Sequence, residues 1–243
     1  MIQLNCDMGE SFGAWKMGLD EEVMPLIDMS NIACGFHAGD PVIMNKTVKI
    51  ATVYNVVIGA HPAYPDLVGF GRRSLACSNE EIESMVLYQI GALAAICQAN
   101  DTKVHYVKPH GALYNDMMKN VAIFETIIKA VAQYDPKLKL MILSSAKNET
   151  YAKIASEQGV GLIYEVFADR AYMEDGTLMP RSMPYSVLES SDKVMDRLTY
   201  LSEKGAIKAH TGRDLKLRAD CICVHGDNAH AIDIVKAMRK YLS

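Results

Sequence analysis

The sequence lacks any cluster of basic residues. Its 25 Lys and Arg are interleaved with 29 Asp and Glu, and the net charge is −4. Nucleic acids and anionic membrane surfaces are normally bound by clustered Lys and Arg, so neither is expected as a partner. Apolar stretches approaching the roughly 20 residues that span a bilayer are also missing, as is a basic and then apolar signal region at the N-terminus. These absences predict a cytoplasmic protein.

Paired cysteine motifs are absent too. The six cysteines show no CxxC spacing, and several lie in apolar runs, where a free cysteine acts as a small hydrophobe. Cys221 and Cys223 fall on one face of a predicted strand. We expect both to pack in the core, because disulfides are rare in a reducing compartment.

Several widespread catalytic and nucleotide-binding motifs are missing as well. The sequence contains no HExxH, no Walker A, no GxGxxG leading from a strand into a helix, and no GxSxG. A serine triad is therefore not expected. If the protein uses ATP, its site is not recognisable by these motifs.

What the sequence does contain is a repeated alternation of strand and helix. Short β-branched runs alternate with longer segments of helical period, which predicts βαβ units and a parallel sheet. The predicted strands lie near residues 2–7, 30–35, 55–61, 104–109, 138–143, 161–167 and 220–225. The predicted helices lie near residues 20–28, 40–54, 79–99, 116–133, 147–158, 190–204 and 228–241.

The length of 243 residues and a hydrophobic share of 50% suit one large domain over residues 1–243. Seven strand–helix units could close into a barrel or remain an open sheet. Polar residues end nearly every strand instead of clustering at one crossover. We therefore predict a single-domain, seven-stranded parallel (β/α) barrel of the TIM-barrel-like α/β class.

Two helix starts and two long loops stand out in this pattern. Ser78 and Glu81 fit a capping box, and Asp40 precedes Pro41 as an N-cap before a first-turn proline. The longest irregular stretches are about 62–78 and 168–189, and each follows a strand that ends in a candidate site residue. Each could cover the pocket as a lid.

Reactive side chains recur at or just beyond the C-terminal ends of the predicted strands. They are Asp7, His37, His61, His110, Asp169 and Asp227. In a sheet of parallel strands these ends lie on one face, where α/β barrels gather their active sites. An enzyme whose pocket is built from many segments is therefore the leading hypothesis.

The residue types at these ends leave several roles open. Asp7 fits a general base, a metal ligand or a partner that orients a histidine, and a structural carboxylate fits as well. Lys108 and His110 alternate onto one face, so the lysine could stabilise an oxyanion or hold a phosphate while the imidazole moves protons. Arg72 and Arg73 offer guanidinium forks for a carboxylate or phosphate.

A divalent metal is one alternative for this site. Asp7, His37 and His61 could hold such an ion with one open position. Histidine–carboxylate pairing without a metal is equally compatible with the same residues.

Two further clusters complete the ring of strand ends. Asp169 and Arg170 could form a salt-bridged corner or part of the pocket. His225 and Asp227 resemble the other strand-end clusters closely enough to be retained as candidates.

Taken together, six segments resemble the LamB/YcsF family: NCDMGE, NIACGFHAGDP, GAHPAYPDLVGFGRR, KPHGALYN, EVFADRAY and VHGD. The likeness runs from the first strand to the last. It implies a barrel related to the glycoside hydrolase and polysaccharide deacetylase superfamily. It also implies a role as one subunit of the bacterial ATP-dependent 5-oxoprolinase, in which 5-oxoproline, ATP and water give glutamate, ADP and phosphate. The expected partners are subunits B and C.

The resemblance suggests roles for individual residues. Asp7 and His61 would activate water, Lys108 and His110 would stabilise the oxyanion or phosphate, and Asp227 would orient a histidine. Arg72 or Arg73 would hold the substrate carboxylate. The expected substrate-binding set is Glu10, Asn31, His37, Arg72, Arg73, Asp169, Arg170 and His225.

Two rival functions remain open at this point. The first is a metal-dependent deacetylase or related amide hydrolase on the same fold. The second is a non-catalytic subunit whose pocket only captures a small acid. The sequence also leaves open whether this chain binds ATP itself, which half-reaction it performs, whether a metal is required and whether a homo-oligomer forms.

Overall fold

The computed structural model describes residues 2–188, 190–224 and 231–242. Within these ranges the strands are Gln3–Met8 (β1), Met29–Ala33 (β2), Val57–His61 (β3), Tyr106–Val107 (β4), Lys139–Leu143 (β5), Gly161–Phe167 (β6), Ala206–Lys208 (β7), Asp214–Lys216 (β8) and Cys221–Cys223 (β9). The helices are Asp20–Val23 (α1), Pro41–Val53 (α2), Asn79–Ala99 (α3), Gly111–Lys119 (α4), Val121–Tyr134 (α5), Asn148–Glu157 (α6), Ser191–Lys204 (α7) and Ala231–Leu242 (α8). A 3-10 turn, Met24–Leu26, follows α1.

Seven of these strands form a closed parallel barrel in the order β1-β2-β3-β4-β5-β6-β9. Strand β9 closes it, because it pairs in parallel with β1 on one side and with β6 on the other. The predicted fold class is confirmed. Since all seven strands run in the same direction, their C-terminal ends meet at one rim of the barrel.

The barrel interior is filled by side chains from its own strands. Met29, Tyr106, Met141 and Cys221 form a small apolar cluster there. Gly59 makes room for the Tyr106 ring, since a Cβ at position 59 would lie 2.2 Å from ring carbons. The larger apolar core lies outside the barrel, between strands and helices. The six cysteines are free, and the expected core packing of Cys221 is confirmed by its full burial.

The helix predicted over residues 116–133 is two helices, α4 and α5. They meet at Asn120, whose extended backbone ends α4 and whose side chain accepts a hydrogen bond from Ala122 N at 3.0 Å. Helix α4 also begins earlier than predicted, directly after His110. The helical apolar period continues through both helices and hides the break. An asparagine N-cap inside that period is the only local signal of it.

An antiparallel hairpin of β7 and β8, which the sequence pattern does not predict, follows α7. Its strands have three residues each, which is too short for an alternating apolar pattern to be recognised. The turn between them carries His210 and Thr211 to the wall of the cavity at the barrel rim.

Helix α3 corrects the expectation that no segment is long and apolar enough to cross a membrane. Its 21 residues pass that test by length and composition. The apolar residues of α3 pack against the core, because one stripe of the helix is buried there: Ile82, Val86, Gln89, Ile90, Leu93 and Cys97. Gln89 also hydrogen-bonds to both the amide and the carbonyl of Ala63 at 2.9 Å. The helix starts at the predicted Ser78–Glu81 capping box, and Asp40 caps α2 as predicted.

Candidate active site

A cavity of about 900 Å³ opens at the C-terminal rim of the barrel. Its lining includes Asp7 from β1, His61 from β3, and Lys108 and His110 from the segment after β4. Its walls include much of the loop 170–181 after β6, and parts of the loop after β3. Four of the five predicted catalytic residues therefore meet in one cavity, at the rim where the parallel strands end.

Lys108 lies at the centre of this group and is almost fully buried. Its Nζ is 2.9 Å from Asp7 Oδ1 and 2.8 Å from Glu165 Oε1, and it donates to Asn5 Oδ1 at 3.3 Å. Burial alone would lower the pKa of Lys108, but the negative charge of Asp7 and Glu165 outweighs burial and holds that pKa well above its usual value. The ammonium is thus a fixed positive charge and not a proton acceptor.

Asp7 connects the lysine to the histidines. Its Oδ1 accepts from Asn31 Nδ2 at 2.8 Å as well as from Lys108, and its Oδ2 lies 3.4 Å from His61 Nε2. Asn31 donates equally to Asn5 Oδ1 at 2.8 Å. Asn31, predicted to bind substrate, is fully buried and positions Asp7 from beneath the cavity.

Glu165 is a candidate functional residue that the sequence pattern did not predict. It is fully buried in β6, where its Oε2 accepts a hydrogen bond from Tyr114 OH at 2.8 Å and its Oε1 pairs with Lys108. A buried carboxylate is costly without such partners. A single acid within the apolar strand GLIYEVF was the available signal.

Three histidines and one glutamate form a compact cluster beside Asp7. The rings of His37 and His110 stack with centroids 3.7 Å apart and planes 5° apart, and His61 stands edge-on to both. Glu10 Oε1 lies 3.1 Å from His37 Nε2 and 3.6 Å from His110 Nδ1. One potential ligand atom from each of these four residues lies within 4.8 Å of the others. The predicted metal set included Asp7. The candidate metal cluster in the structure contains Glu10 and His110 in its place.

Backbone carbonyls fix the hydrogens on two of these rings. His61 Nδ1 donates to Lys108 O at 2.7 Å, and His110 Nε2 donates to Phe70 O at 3.0 Å, because a carbonyl can only accept. The remaining nitrogens, His61 Nε2 and His110 Nδ1, face each other at 2.9 Å. Burial, reinforced by nearby histidines, holds the pKa values of His110 and His37 well below the usual value.

The two adjacent arginines of the loop after β3 point to different places. Arg72 lines the cavity, with its guanidinium 4.9 Å from the Phe70 ring centroid. Arg73 instead pairs with the buried Asp66, its Nε lying 3.0 and 3.1 Å from the two carboxylate oxygens. Of the two predicted carboxylate clamps, only Arg72 is placed at the cavity.

Arg170 lines the cavity and also holds the loop that follows β6. Its guanidinium donates to Met179 O at 2.6 Å and to Ser186 O at 3.3 Å. Burial, with a smaller contribution from Arg181, lowers the pKa of Arg170 to about 10. Asp169, also predicted to bind substrate, is buried and does not line the cavity.

Further side chains with nitrogen donors reach the cavity from positions where the sequence shows no motif. Lys119 comes from the end of α4, Arg181 from the loop after β6 and His210 from the β7–β8 turn. His225 and Asp227 lie outside the described residues, so their suggested roles stay predictions.

Comparison with known proteins gives consistent matches over nearly the whole chain. The model of the LamB/YcsF family matches residues 2–243. The chain is 54% identical over 241 residues to the A subunit of 5-oxoprolinase from Vibrio campbellii, covering 99% of this chain and 95% of the relative. It is 52% identical over 236 residues to the protein of the same name from Chromohalobacter salexigens, covering 97% and 94%.

A solved structure agrees as well. The lactam utilization protein from Thermus thermophilus superposes with a TM-score of 0.90 at 40% identity, covering 99% of this chain and 95% of that one.

Proposed function

Because this chain belongs to the LamB/YcsF family, we propose that it is the A subunit of a 5-oxoprolinase that hydrolyses 5-oxo-L-proline to L-glutamate, coupled to hydrolysis of ATP to ADP and phosphate. Full-length relatives that carry the name of this 5-oxoprolinase component support the assignment. The structural observation that carries it is Lys108, held as a buried cation by Asp7 and Glu165 at the cavity and adjoining a histidine cluster.

The chemistry explains why such a reaction would need both ATP and a buried cation. A lactam carbonyl is a poor electrophile, and transfer of the γ-phosphoryl group of ATP to its oxygen, with release of ADP, activates the ring carbon. Water adds to this carbon and loses its protons to a base, while the ring C–N bond breaks and the nitrogen takes up a proton. The resulting acyl phosphate of glutamate is hydrolysed by a second water to glutamate and phosphate, and negative charge develops on oxygen in these steps. A preorganised ammonium in a site shielded from water stabilises such charge strongly. Lys108 fits this role because its carboxylate partners fix both its charge and its position.

The second oxygen of the Asp7 carboxylate is assigned to the activation of water. Asp7 Oδ1 is held by Lys108 and Asn31, whereas Asp7 Oδ2 lies beside His61 Nε2 at 3.4 Å. A water placed against Asp7 Oδ2 and His61 Nε2 can lose its proton to either acceptor. Asp7 thus has two roles: its Oδ1 holds the Lys108 ammonium that stabilises developing charge, and its Oδ2 serves as a base.

The cavity has room and charge for a phosphorylated lactam. Its volume of about 900 Å³ lies in the range of roughly 300–1,000 Å³ found for pockets that hold drug-sized ligands. We assign Arg72 and Arg170 to the substrate carboxylate, and Lys119 and Arg181 to a phosphate group, because all four line the cavity. We propose 5-oxoproline and ATP as substrates, and subunits B and C as partners in the assembled enzyme. Cytoplasmic location is proposed too, since all six cysteines are free.

The decisive assay measures 5-oxoproline-dependent ATP hydrolysis by the chain alone and after reconstitution with its two partner subunits. Lys108→Met and Asp7→Asn are expected to lower turnover of the complex by about 100- to 1,000-fold, the usual effect of removing a transition-state-stabilising group. The exposed Lys137→Met is the matched control and keeps wild-type turnover. Near-wild-type turnover in folded Lys108→Met and Asp7→Asn proteins would refute these roles.

A second candidate function is favoured by one observation, the cluster of Glu10 with three histidines. Such a donor set suits a metal-dependent amide hydrolase or deacetylase that works without ATP. Hydrolysis of amide substrates by the metal-loaded chain in the absence of ATP and partner subunits would favour this candidate. If the chain were only a binding subunit, site variants would lose affinity for the small acid while the partner subunits kept turning it over.

A further inference from the structure

His61 and His110 approach each other through nitrogens that carry no hydrogen when both rings are neutral. A neutral imidazole has one N–H, and each ring donates its N–H to a backbone carbonyl, Lys108 O or Phe70 O. His61 Nε2 and His110 Nδ1 nevertheless lie 2.9 Å apart. Two lone pairs at that distance repel each other unless one positive centre binds both.

A third donor atom completes the geometry expected for a metal ion. Ligand bonds of about 2.0–2.1 Å in a tetrahedral site place the ligand atoms roughly 3.3–3.4 Å from one another. His110 Nδ1 is 2.9 Å from His61 Nε2 and 3.6 Å from Glu10 Oε1, so the two separations bracket this value. All three residues line the cavity. Carbonyls that orient metal-binding imidazoles through their second nitrogen are the usual outer partners of such sites.

The third histidine of the cluster does not fit as a ligand. The His37 ring is stacked on His110 with planes 5° apart, so the in-plane lone pairs of the two rings cannot converge on one ion. His37 Nε2 must carry hydrogen, because it lies 3.1 Å from Glu10 Oε1 and a carboxylate only accepts. Its buried Nδ1 makes no hydrogen bond among the described residues, and His37 does not line the cavity. His37 is therefore a positioning residue for Glu10.

We propose that Glu10 Oε1, His61 Nε2 and His110 Nδ1 bind one divalent transition-metal ion, of the class of Zn²⁺, Co²⁺ or Ni²⁺, with a coordination position towards the cavity that none of the described residues fills. Imidazole and carboxylate ligands suit these ions, and three protein ligands with an open position are typical of catalytic rather than structural sites. The inference holds for either function proposed above. With the ion bound, His61 is a ligand and Asp7 alone remains to accept the proton of water.

The site is tested with metal alone, without substrate, ATP or partner subunits, so its failure is distinct from failure of the proposed reaction. Chelator-treated full chain is titrated with Co²⁺, followed by visible absorption, and with Zn²⁺, followed by calorimetry. We expect one ion per chain and a rise in melting temperature on loading. Wild-type chain that binds neither ion would overturn the proposal and assign the short contact to a shared proton.

Variants separate ligands from neighbours. His61→Ala, His110→Ala and Glu10→Gln are expected to abolish the stoichiometric binding and the metal-induced rise in melting temperature. His37→Phe retains a stacked ring and should bind with affinity reduced by about 10- to 100-fold, as for loss of an outer partner. His105→Ala, at an exposed position, is the matched control and keeps wild-type affinity.

Two results with these variants would contradict the ligand set. The first is loss of binding in His37→Phe with retention in His110→Ala. The second is an equal loss in His105→Ala and His61→Ala. Because Glu10→Gln preserves side-chain volume, it keeps the test valid should either alanine variant fail to fold.

Discussion

The Lys108 ammonium and the Glu165 carboxylate form an ion pair inside the barrel, with 2.8 Å between Nζ and Oε1 and side-chain exposures of 3% and 0%. The two residues come from strands that are separated by β5 alone, because Lys108 follows β4 and Glu165 lies in β6. A pair buried this deeply is stable only while both charges are present, because the loss of one leaves the other uncompensated.

Lys108→Met should therefore lower the free energy of unfolding by about 3–5 kcal/mol, the usual cost of breaking a buried pair. Urea unfolding of the isolated chain measures this. The double variant Lys108→Met/Glu165→Gln should recover part of the lost stability, because the stranded carboxylate is gone, and yet remain inactive. A double variant less stable than Lys108→Met would show that Glu165 is held mainly by Tyr114 and not by the lysine.

Asp20 gives the protein a predictable dependence of stability on pH. Burial raises the pKa of Asp20 to about 6, although its carboxylate accepts a hydrogen bond from Gly9 N at 2.8 Å. The folded state thus binds more protons than the unfolded chain between pH about 4 and 6, so this group's contribution to stability falls as pH rises through that window. Asp20→Asn should be more stable than wild type at pH 7.5, by up to about 3 kcal/mol.

Thermal unfolding of the Asp20→Asn and wild-type proteins from pH 4 to 8 measures the effect. The difference in stability should be small near pH 4, where Asp20 is protonated in wild type, and should grow towards pH 7. A difference that does not change with pH would mean that Asp20 stays ionised in the folded protein throughout.

Substitutions of the neighbours Arg72 and Arg73 should have different effects on the KM for 5-oxoproline. Arg72→Ala is expected to raise KM for 5-oxoproline in the reconstituted complex by tenfold or more, roughly the loss of one charged hydrogen bond of about 1.5–3 kcal/mol. Arg73→Ala should leave KM unchanged, because its partner is Asp66 outside the cavity. Equal effects of both variants on KM would contradict the assignment.

Gly59 should tolerate no side chain. A Cβ at this position would meet the Tyr106 ring at 2.2 Å inside the barrel, so Gly59→Ala should destabilise the protein by about 1–3 kcal/mol through overpacking. Gly91 is the matched control, because it lies within α3 and a Cβ there meets nothing within 4 Å. Gly91→Ala should stabilise the protein by about 0.5–1 kcal/mol. Urea unfolding distinguishes these opposite signs, and a stabilised Gly59→Ala would refute the packing argument.

The barrel itself could be predicted because its signals are local. Each strand is a short apolar run, each helix keeps its own period, and the polar residues that end the strands indicate a common rim. Where local signals conflict, the prediction failed. The break at Asn120 is indicated by a single capping residue, whereas the apolar stripe that runs through both α4 and α5 predicts one continuous helix.

The partners within the site could not be predicted, because they are set by contacts between distant strands. The sequence pattern allows Asp7, His37 and His61 as an alternative metal set, whereas the barrel pairs Asp7 with Lys108 and brings Glu10 to the histidines. Nothing in the local sequence tells Arg72 from Arg73, since the direction of each side chain depends on the turn around Phe70, a non-glycine residue with φ of 53°.

Strand β9 has a consequence for synthesis of the chain. Its residues, Cys221–Cys223, lie within the last tenth of the sequence and supply the hydrogen bonds that join β6 to β1. The residues of the ion pair and of the histidine cluster are all translated before β9. They cannot be held in a closed barrel until β9 has been made. Competence should therefore appear only after β9 has been translated, and chains terminated before β9 should be inert however much helix they form.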